Sequence, residues 1–103
     1  MKRYIVHITE GALQDMEGIY YYIATQLQVP ETAMAQYNRI ADAIEGLDTF
    51  PEIYNLMELE PERSKGIRRM NVDNYSVFFI IREEQVIVTN VLYGASDIPT
   101  RLW

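Results

Sequence analysis

Four of the chain's nine basic residues fall close together, at Arg63, Lys65, Arg68 and Arg69. An arginine can bind a phosphate or carboxylate through two parallel hydrogen bonds, and a lysine binds the same groups as a point charge. A local cluster of this kind can bind an anion even where the protein as a whole is negative. The same residues could equally be solvated loop groups, ion-paired surface groups or the rim of a partner's binding site.

The other residue types limit the chemistry that the chain can perform. The sequence has no cysteine, which excludes a disulfide framework and a thiolate metal site. Its one histidine, His7, cannot form a histidine-based zinc centre alone, and we expect it on the outer face of a strand. We therefore predict neither a metal nor an organic cofactor.

Charge is distributed unevenly along the sequence. The net charge is −6, but residues 10–62 hold eleven acids and one base, whereas residues 63–103 hold six bases and four acids. Long-range attraction of RNA or DNA to such a chain would be weak or repulsive. Any binding of an anion must therefore depend on the local basic cluster.

Length and apolar content predict one packed domain that covers residues 1–103. Apolar residues make up 49% of the chain, which favours a globular core over disorder. No apolar run approaches the roughly 20 residues that span a bilayer, and the opening residues do not lead into a signal-peptide stretch. We expect a cytoplasmic protein that has no membrane contact.

Two amphipathic helices are predicted after a short first strand, residues 3–8. Thr9 is placed to cap the first helix, about residues 10–28, which Val29-Pro30 interrupts because residues before proline avoid helical angles. Pro30 can begin a second helix, which ends near residue 48, before Phe50-Pro51. The connection is so short that the helices must form an antiparallel hairpin. The expected buried faces are Leu13, Met16, Tyr20, Ile23, Ala24 and Leu27 in the first helix, and Ala33, Tyr37, Ile40, Ala41, Ile44 and Leu47 in the second.

Strand signals dominate the second half of the sequence. The order of strand, helical hairpin and then three or four antiparallel strands predicts an α+β domain, with the helices packed on one face of the sheet. The last strands are apolar on both faces, so we expect them at the centre of the sheet. The tail from Tyr93 to Trp103 reads as irregular. The predicted strands are 67–72, 75–81 and 86–92, joined at Asp73-Asn74 and at 82–85, with a short edge strand at 54–59.

Four segments, in order along the chain, form a recognisable set of sequence patterns. They are the first helix (Ala12, Leu13, Asp15, Ile19, Tyr22, Ile23), the end of the second (Ile40, Ile44, Leu47, Phe50-Pro51), the arginine strand and its successor (Gly66–Met70, Asn74–Phe79), and Val91–Ile98. Together these segments resemble the sequence patterns of the RelE/ParE toxin superfamily. Each segment alone is a weak match, but four in the right order over nearly the whole chain argue against chance agreement. The order and spacing are more similar to ParE than to RelE.

The resemblance implies the toxin component of a type II toxin–antitoxin system, of the kind also described as plasmid-stabilisation or addiction modules. It implies a RelE/ParE-like fold of one strand, a helical hairpin and a three- to four-stranded antiparallel sheet. It also implies a cognate antitoxin that lays a helix or strand on an apolar or basic surface of the toxin. A heterotetramer or a larger toxin–antitoxin complex would then be expected.

Two positions depart from the family pattern. Tyr93 stands where many relatives carry histidine, and Ser96 stands where many carry arginine. Both changes remove a cationic or proton-transferring side chain from the expected functional edge. The overall acidity is a further departure, since many of these toxins are basic.

Some members of the superfamily cleave messenger RNA on the ribosome, with the ribose 2′-hydroxyl as nucleophile. That reaction needs a proton acceptor, cations at the phosphate and a proton donor. The resemblance assigns catalysis to Arg68, at the phosphate, and to Tyr93, which could stack on a base or donate a proton. Successive strand residues face opposite ways, so Arg68 and Arg69 cannot both point at one site. The other expected phosphate- or partner-binding residues are Lys65, Arg69 and Arg63, and the possible proton acceptors are Lys65 and Glu58.

Three functions therefore stay open from the sequence. The first is inhibition of DNA gyrase by protein–protein contact, which needs no catalytic acid or base and suits an acidic protein. The second is a ribosome-dependent messenger-RNA endonuclease. The third is a detoxified member that only binds its antitoxin, as the departures at Tyr93 and Ser96 allow.

Overall fold

The computed structural model describes residues 3–94 of the chain. These residues fold into two α-helices and four strands, joined by turns and loops. Residues 1, 2 and 95–103, including Ser96, lie outside this range. The tail predicted to be irregular is wrong at Tyr93, which continues the pairing of β4 with β3, and its residues after Gly94 are not described. Within residues 3–94, neither helix is long and apolar enough to cross a membrane. The elements are β1 (Ile5–Ile8), α1 (Glu10–Tyr21), a π-helical segment (Tyr22–Gln26), α2 (Pro30–Glu45), 3₁₀ turns at Gly46–Asp48 and Pro51–Ile53, β2 (Arg68–Val72), β3 (Tyr75–Arg82) and β4 (Gln85–Tyr93).

The four strands form one sheet in the order β1-β4-β3-β2. β2, β3 and β4 are antiparallel, and β3 and β4 occupy the centre, as the sequence predicts. β1 adds a feature that the sequence does not show, because it pairs with β4 in the parallel direction, with Ile5 opposite Gln85 and Ile8 opposite Val88. The sheet is therefore mixed, and β1 covers only the first half of the outer edge of β4.

Thr9 fixes the start of α1 against the sheet. Its hydroxyl accepts a hydrogen bond from the backbone N–H of Ala12 at 3.2 Å, which confirms the predicted N-cap. The same hydroxyl donates to the carbonyl oxygen of Val88 at 2.9 Å, and the Thr9 N–H donates to that oxygen at 3.1 Å. One residue thus caps the helix and ties its first turn to β4.

Both helices pack on one face of the sheet, as predicted, but α1 buries a different stripe of residues from the one expected. Ala12 and Met16 are buried, whereas Leu13 is 40% exposed and Leu27 is 54% exposed. The predicted stripe is therefore wrong at both its ends. At the second end, the π-helical segment changes the spacing after Tyr21, so Leu27 leaves the expected face, whereas Leu13 lies before this change.

The face predicted for α2 is confirmed. Pro30 is the first helical residue, and the helix ends in the 3₁₀ turn at Gly46–Asp48. Its inner side chains share one core with the helix-facing residues of the sheet. The fully buried members of that core from α2, its end and the sheet are Ile40, Ile44, Leu47, Val77, Phe79, Val86 and Val88.

The predicted edge strand at 54–59 is wrong. Only Leu56 bridges β2, opposite Arg68, with flanking hydrogen bonds from Met57 N to Ile67 O at 2.9 Å and from Arg69 N to Asn55 O at 3.2 Å. The ladder stops there because the chain turns away from β2 after Glu58. This segment nevertheless packs on both faces of the sheet, because Tyr54 contacts the core that the helices share and Met57 packs on a second buried cluster that contains Phe78.

Candidate functional site

The basic cluster of the sequence is divided between the two faces of the sheet. Arg68 lies on the helix-facing side of β2, opposite Phe79, and Arg69 lies on the other side, opposite Phe78. The alternation of strand side chains, which forbids a shared site for the two arginines, is therefore observed. The two residues have different surroundings, and these decide what each can do.

Arg68 holds a loop in place. Its Nη1 donates to the carbonyl oxygen of Tyr54 at 2.7 Å and to that of Glu52 at 3.3 Å. The guanidinium therefore braces the chain after the 3₁₀ turn Pro51–Ile53 against β2. A charged donor that is already shared between two backbone carbonyls has less capacity for a bidentate contact with phosphate. Its assigned catalytic role stays a prediction.

Arg69 is held in a different way, through Nε alone. This atom donates to the hydroxyl oxygen of Ser76 at 3.0 Å and to the Oδ1 atom of Asn71 at 3.1 Å, and the guanidinium carbon lies 6.0 Å from the centroid of the Phe78 ring. Among residues 3–94, the two terminal amino groups of this guanidinium have no hydrogen bond. The side chain is therefore oriented while its amino groups stay able to bind an anion.

The other two members of the cluster lie in the loop that precedes β2. Arg63 is exposed and its Nη1 donates to the carbonyl oxygen of Met57 at 3.3 Å. Lys65 is also exposed, three residues before Arg68. Neither residue lines either of the two cavities described below, and the same is true of Glu58. The groups that could accept a proton are thus separate from Arg69.

A small cavity of about 320 Å³ lies beside Arg69, at the turn between β2 and β3. We call it the arginine pocket. Tyr93, the last residue of β4, also lines this cavity, although its ring meets Tyr75 on the helix-facing side of the sheet, whereas Arg69 lies on the other side. Its lining residues are Arg69, Asn71, Asp73, Asn74, Tyr75, Ser76, Tyr93 and Gly94.

A larger cavity of about 890 Å³ lies on the helix-facing side, between the helical hairpin and the end of β4. We call it the hairpin groove. Apolar and aromatic side chains dominate its wall, and Tyr22, Leu27, Val29 and Tyr93 are all exposed there. The complete lining is Gln14, Asp15, Gly18, Ile19, Tyr22, Ile23, Leu27, Val29, Thr32, Asn74, Tyr75, Val91, Leu92 and Tyr93.

Two tyrosines mark the boundary between these cavities. The rings of Tyr75 and Tyr93 meet edge to face, with centroids 5.4 Å apart and an interplanar angle of 71°. Burial raises the pKa of the Tyr75 phenol above its ordinary value of 10.0, and the neighbouring phenols of Tyr93 and Tyr22 raise it further. Three phenols from separate elements therefore converge where the groove meets the pocket.

Asp15 positions the wall of the hairpin groove. β1 pairs with β4 only as far as Val88, so within residues 3–94 the next part of that strand edge has no strand beside it. There the backbone N–H of Val91 donates to the Oδ2 atom of Asp15 at 3.0 Å. The carboxylate thus replaces a missing strand partner. Sequence reasoning did not give Asp15 a role, although it is one of the residues that carry the family resemblance.

A hydrogen-bonded group on α2 fixes the β2–β3 turn. The Oδ2 atom of Asp73 accepts from Arg39 Nε at 2.8 Å and from Gln36 Nε2 at 3.0 Å, and these bonds hold the pKa of the Asp73 carboxyl below its usual range. Asp73 adopts a left-handed conformation with φ of 56°, which the predicted two-residue turn with Asn74 requires. Among the described residues, the one carboxylate in the lining of the arginine pocket therefore already accepts two hydrogen bonds from α2 on one of its oxygens.

The described residues favour binding over proton transfer. Residues 3–94 contain no group of three metal-ligating side chains that could hold a metal ion. The arginine pocket is lined by an oriented guanidinium, and the one carboxylate that lines it among the described residues, Asp73, accepts two hydrogen bonds from α2 on its Oδ2 atom. The arrangement can bind an anionic group, and the described lining residues include no carboxylate other than Asp73 that could accept a proton.

Comparison with known proteins gives a family and a fold. The family model described as the ParE toxin of the type II toxin–antitoxin system, parDE, matches residues 6–98. No curated protein sequence matches the chain significantly.

Two solved structures share the fold at low sequence identity. A chromosomal ParDE toxin–antitoxin system from P. aeruginosa superposes with a TM-score of 0.74 and 17% identity, over 90% of this chain and 98% of that chain. The toxin–antitoxin complex RelBE2 from Mycobacterium tuberculosis superposes with a TM-score of 0.62 and 16% identity, over 88% of this chain and 98% of that chain.

Proposed function

The chain belongs to the ParE toxin family of type II toxin–antitoxin systems, and from this premise we propose that it arrests growth by binding DNA gyrase, without catalysis. The observation that carries the proposal is the set of side chains that line the arginine pocket. Arg69 and Tyr93 both line it, and the one carboxylate that lines it among the described residues, Asp73, is held by α2. Such a site suits a contact surface better than it suits proton transfer.

The charge of the chain supports the same choice. The net charge of −6 opposes long-range attraction to RNA. The two arginines of β2 lie on opposite faces of the sheet and so do not form one cationic site. A protein–protein contact needs only a small complementary surface, in which an arginine and an exposed tyrosine are typical anchors. Arg69 and Tyr93 provide that pair.

We further propose that the hairpin groove receives a cognate antitoxin. The groove is long and apolar, and exposed side chains of this kind mark interaction sites on small proteins. An antitoxin helix or strand laid between the hairpin and β4 would cover Tyr22 and Tyr93. A heterotetramer or larger complex is the expected assembly, and it can be measured by light scattering on the two proteins expressed together.

A second function, the ribosome-dependent endonuclease, is favoured by one observation. The terminal amino groups of Arg69 have no hydrogen bond within residues 3–94, and they lie in a cavity whose wall includes a phenol. A phosphate held by Arg69 with a base stacked on Tyr93 would satisfy part of that chemistry. The missing part is the proton acceptor.

Induced expression in a bacterial host separates the possibilities. We expect growth arrest with loss of DNA supercoiling and intact transcripts, weakened by Arg69→Gln. Arg63→Gln is the matched control, because it removes a nearby exposed guanidinium outside both cavities. Cleaved transcripts with normal supercoiling would establish the endonuclease instead, and normal growth at confirmed expression would show that the chain is not toxic.

A further inference from the structure

Three tyrosines give the hairpin groove a feature that apolar packing alone does not require. Tyr22 comes from the π-helical segment, Tyr75 from the start of β3 and Tyr93 from the end of β4. Tyr75 is 9% exposed, whereas Tyr22 and Tyr93 are 57% and 72% exposed. The ring of Tyr75 is therefore buried beneath the groove, and the rings of Tyr22 and Tyr93 are exposed to whatever enters it.

The position of Tyr22 depends on the π-helical segment. The N–H of Leu27 bonds to the carbonyl oxygen of Tyr22 at 3.3 Å, five residues earlier, so the helix is widened at this place. The neighbouring Tyr21 is also exposed but does not line the groove. The widened helical turn thus begins at the tyrosine that lines the groove with Tyr75 and Tyr93, which is Tyr22 and not Tyr21.

The charge around these rings has one sign. Among the described residues that line the groove there is no lysine, arginine or histidine, and the one charged group is the carboxylate of Asp15. The bond from Val91 N–H fixes this carboxylate on the wall. Residues 10–45, which form the hairpin, hold six acids and one base. The described lining of the groove therefore combines aromatic rings with one carboxylate.

Aromatic faces next to a carboxylate attract cations, because the ring quadrupole and the negative charge act in the same direction. We propose that the hairpin groove binds a basic segment of the antitoxin and takes one arginine or lysine side chain of that segment between Tyr22, Tyr75 and Tyr93. This inference rests on the proposed antitoxin partner. It adds that an arginine or lysine of the antitoxin contributes most to the binding at this place. A purely apolar antitoxin helix would use the same groove without needing the charge.

A small cationic probe tests the site without any antitoxin. N-acetyl-arginine amide is titrated into the folded domain, with its uncharged isostere N-acetyl-citrulline amide as control, and the ring signals of the tyrosines are followed by NMR. We expect saturable shifts at Tyr22, Tyr75 and Tyr93 with the arginine compound, at least several-fold weaker with the citrulline compound. Equal responses to both compounds, or none at these rings, would overturn the inference.

A second measurement uses overlapping peptides of the protein encoded next to this gene. For a peptide that binds, replacing its anchoring arginine or lysine by glutamine should weaken binding on the order of 10-fold, as should Tyr93→Leu in the toxin. Tyr21→Leu is the matched control, because it removes an equally exposed phenol outside the groove. Combining the peptide and Tyr93 changes should weaken binding less than the product of the two effects.

The outcomes separate the two proposals. If no peptide binds, the antitoxin proposal fails, while the arginine probe still decides whether the cation site exists. If a peptide binds but tolerates replacement of each of its basic residues, the groove can still receive the antitoxin and the cationic anchor is refuted. If Tyr93→Leu has no more effect than Tyr21→Leu, the peptide lies elsewhere and the inference falls.

Discussion

Replacing Arg68 tests whether this arginine braces the fold or acts on the target. The side chain donates to two backbone carbonyl oxygens, of Tyr54 at 2.7 Å and of Glu52 at 3.3 Å. Arg68→Met keeps most of the apolar stem and removes both hydrogen bonds. A hydrogen bond to a charged group contributes about 1.5–3 kcal/mol, and the longer bond adds little, so we expect a loss of about 2 kcal/mol in the free energy of unfolding.

This loss has a measurable consequence for heat stability but a small one for folding at growth temperature. In a domain of this size, about 2 kcal/mol lowers Tm by roughly 10 °C. Domains unfold with a free energy of about 5–15 kcal/mol, so the variant should remain mainly folded. Growth arrest by Arg68→Met should therefore stay close to that of the unchanged chain once expression levels are matched.

Equilibrium unfolding in urea and growth curves after induction together form the assay, with Arg69→Met as the comparison. Arg69 is oriented by Ser76 and Asn71 on an accessible surface, so its replacement should cost only about 1 kcal/mol. It should nevertheless weaken growth arrest far more than Arg68→Met does. The reasoning is refuted if Arg68→Met unfolds at the same urea concentration as the unchanged chain and yet abolishes growth arrest, because that pattern means direct contact with the target.

Three further outcomes concern the frame around the site. Thr9→Ala removes the N-cap of α1 and its bond to Val88 O, so urea unfolding should show a loss of about 1–2 kcal/mol. Ile40→Ala empties a fully buried position of α2 and should cost about 2–5 kcal/mol by the same measurement, with a smaller loss if neighbouring side chains fill the space. The lowered pKa of Asp73 means that its bonds stabilise the fold above its ordinary value of 3.8, and that this contribution is lost as the pH falls through the lowered pKa. Asp73→Asn, which suits the left-handed turn, should therefore flatten the acid side of a stability–pH profile, and an unchanged slope would assign that slope to other carboxylates.

The sequence correctly predicted those features that depend only on residues close to one another in the chain. Pro30 as the first residue of α2, the cap at Thr9 and the turn at Asp73 depend on backbone geometry within a few residues, and all three are observed. The central position of β3 and β4 followed from apolar residues on both of their faces. What the sequence did not show was the parallel pairing of β1 with β4, because an alternating pattern identifies a strand but not its neighbour.

The errors in α1 have a similar origin. A small residue, Ala12, is fully buried, and Leu13 beside it is left partly exposed, because the closeness of helix and sheet is set by the partner surface and not by the size of the side chain. The π-helical segment then displaces Leu27 from the expected face. No periodicity argument anticipates a widened turn, since it inserts one residue into the pattern.

The candidate site was predictable to the level of residue types but not of their grouping. Alternation along β2 correctly required Arg68 and Arg69 to face opposite ways. The chain after Pro51 runs beside β2, and its carbonyl oxygens accept hydrogen bonds from Arg68. This contact joins residues distant in the sequence and has no sequence signature, so the resemblance pointed to Arg68, whereas Arg69 lines the cavity.

Tyr93 links the two surfaces proposed here, because it lines both the hairpin groove and the arginine pocket. An antitoxin segment that covers its ring in the groove would also close one wall of the pocket, without touching Arg69. Neutralisation of the toxin would then follow from sharing one residue, with no conformational change. This geometry requires that Tyr93→Leu weaken both antitoxin binding and growth arrest, whereas Arg69→Gln weakens growth arrest alone. If Arg69→Gln also weakens antitoxin binding, measured by titration calorimetry, the two surfaces are one interface and the division between groove and pocket is wrong.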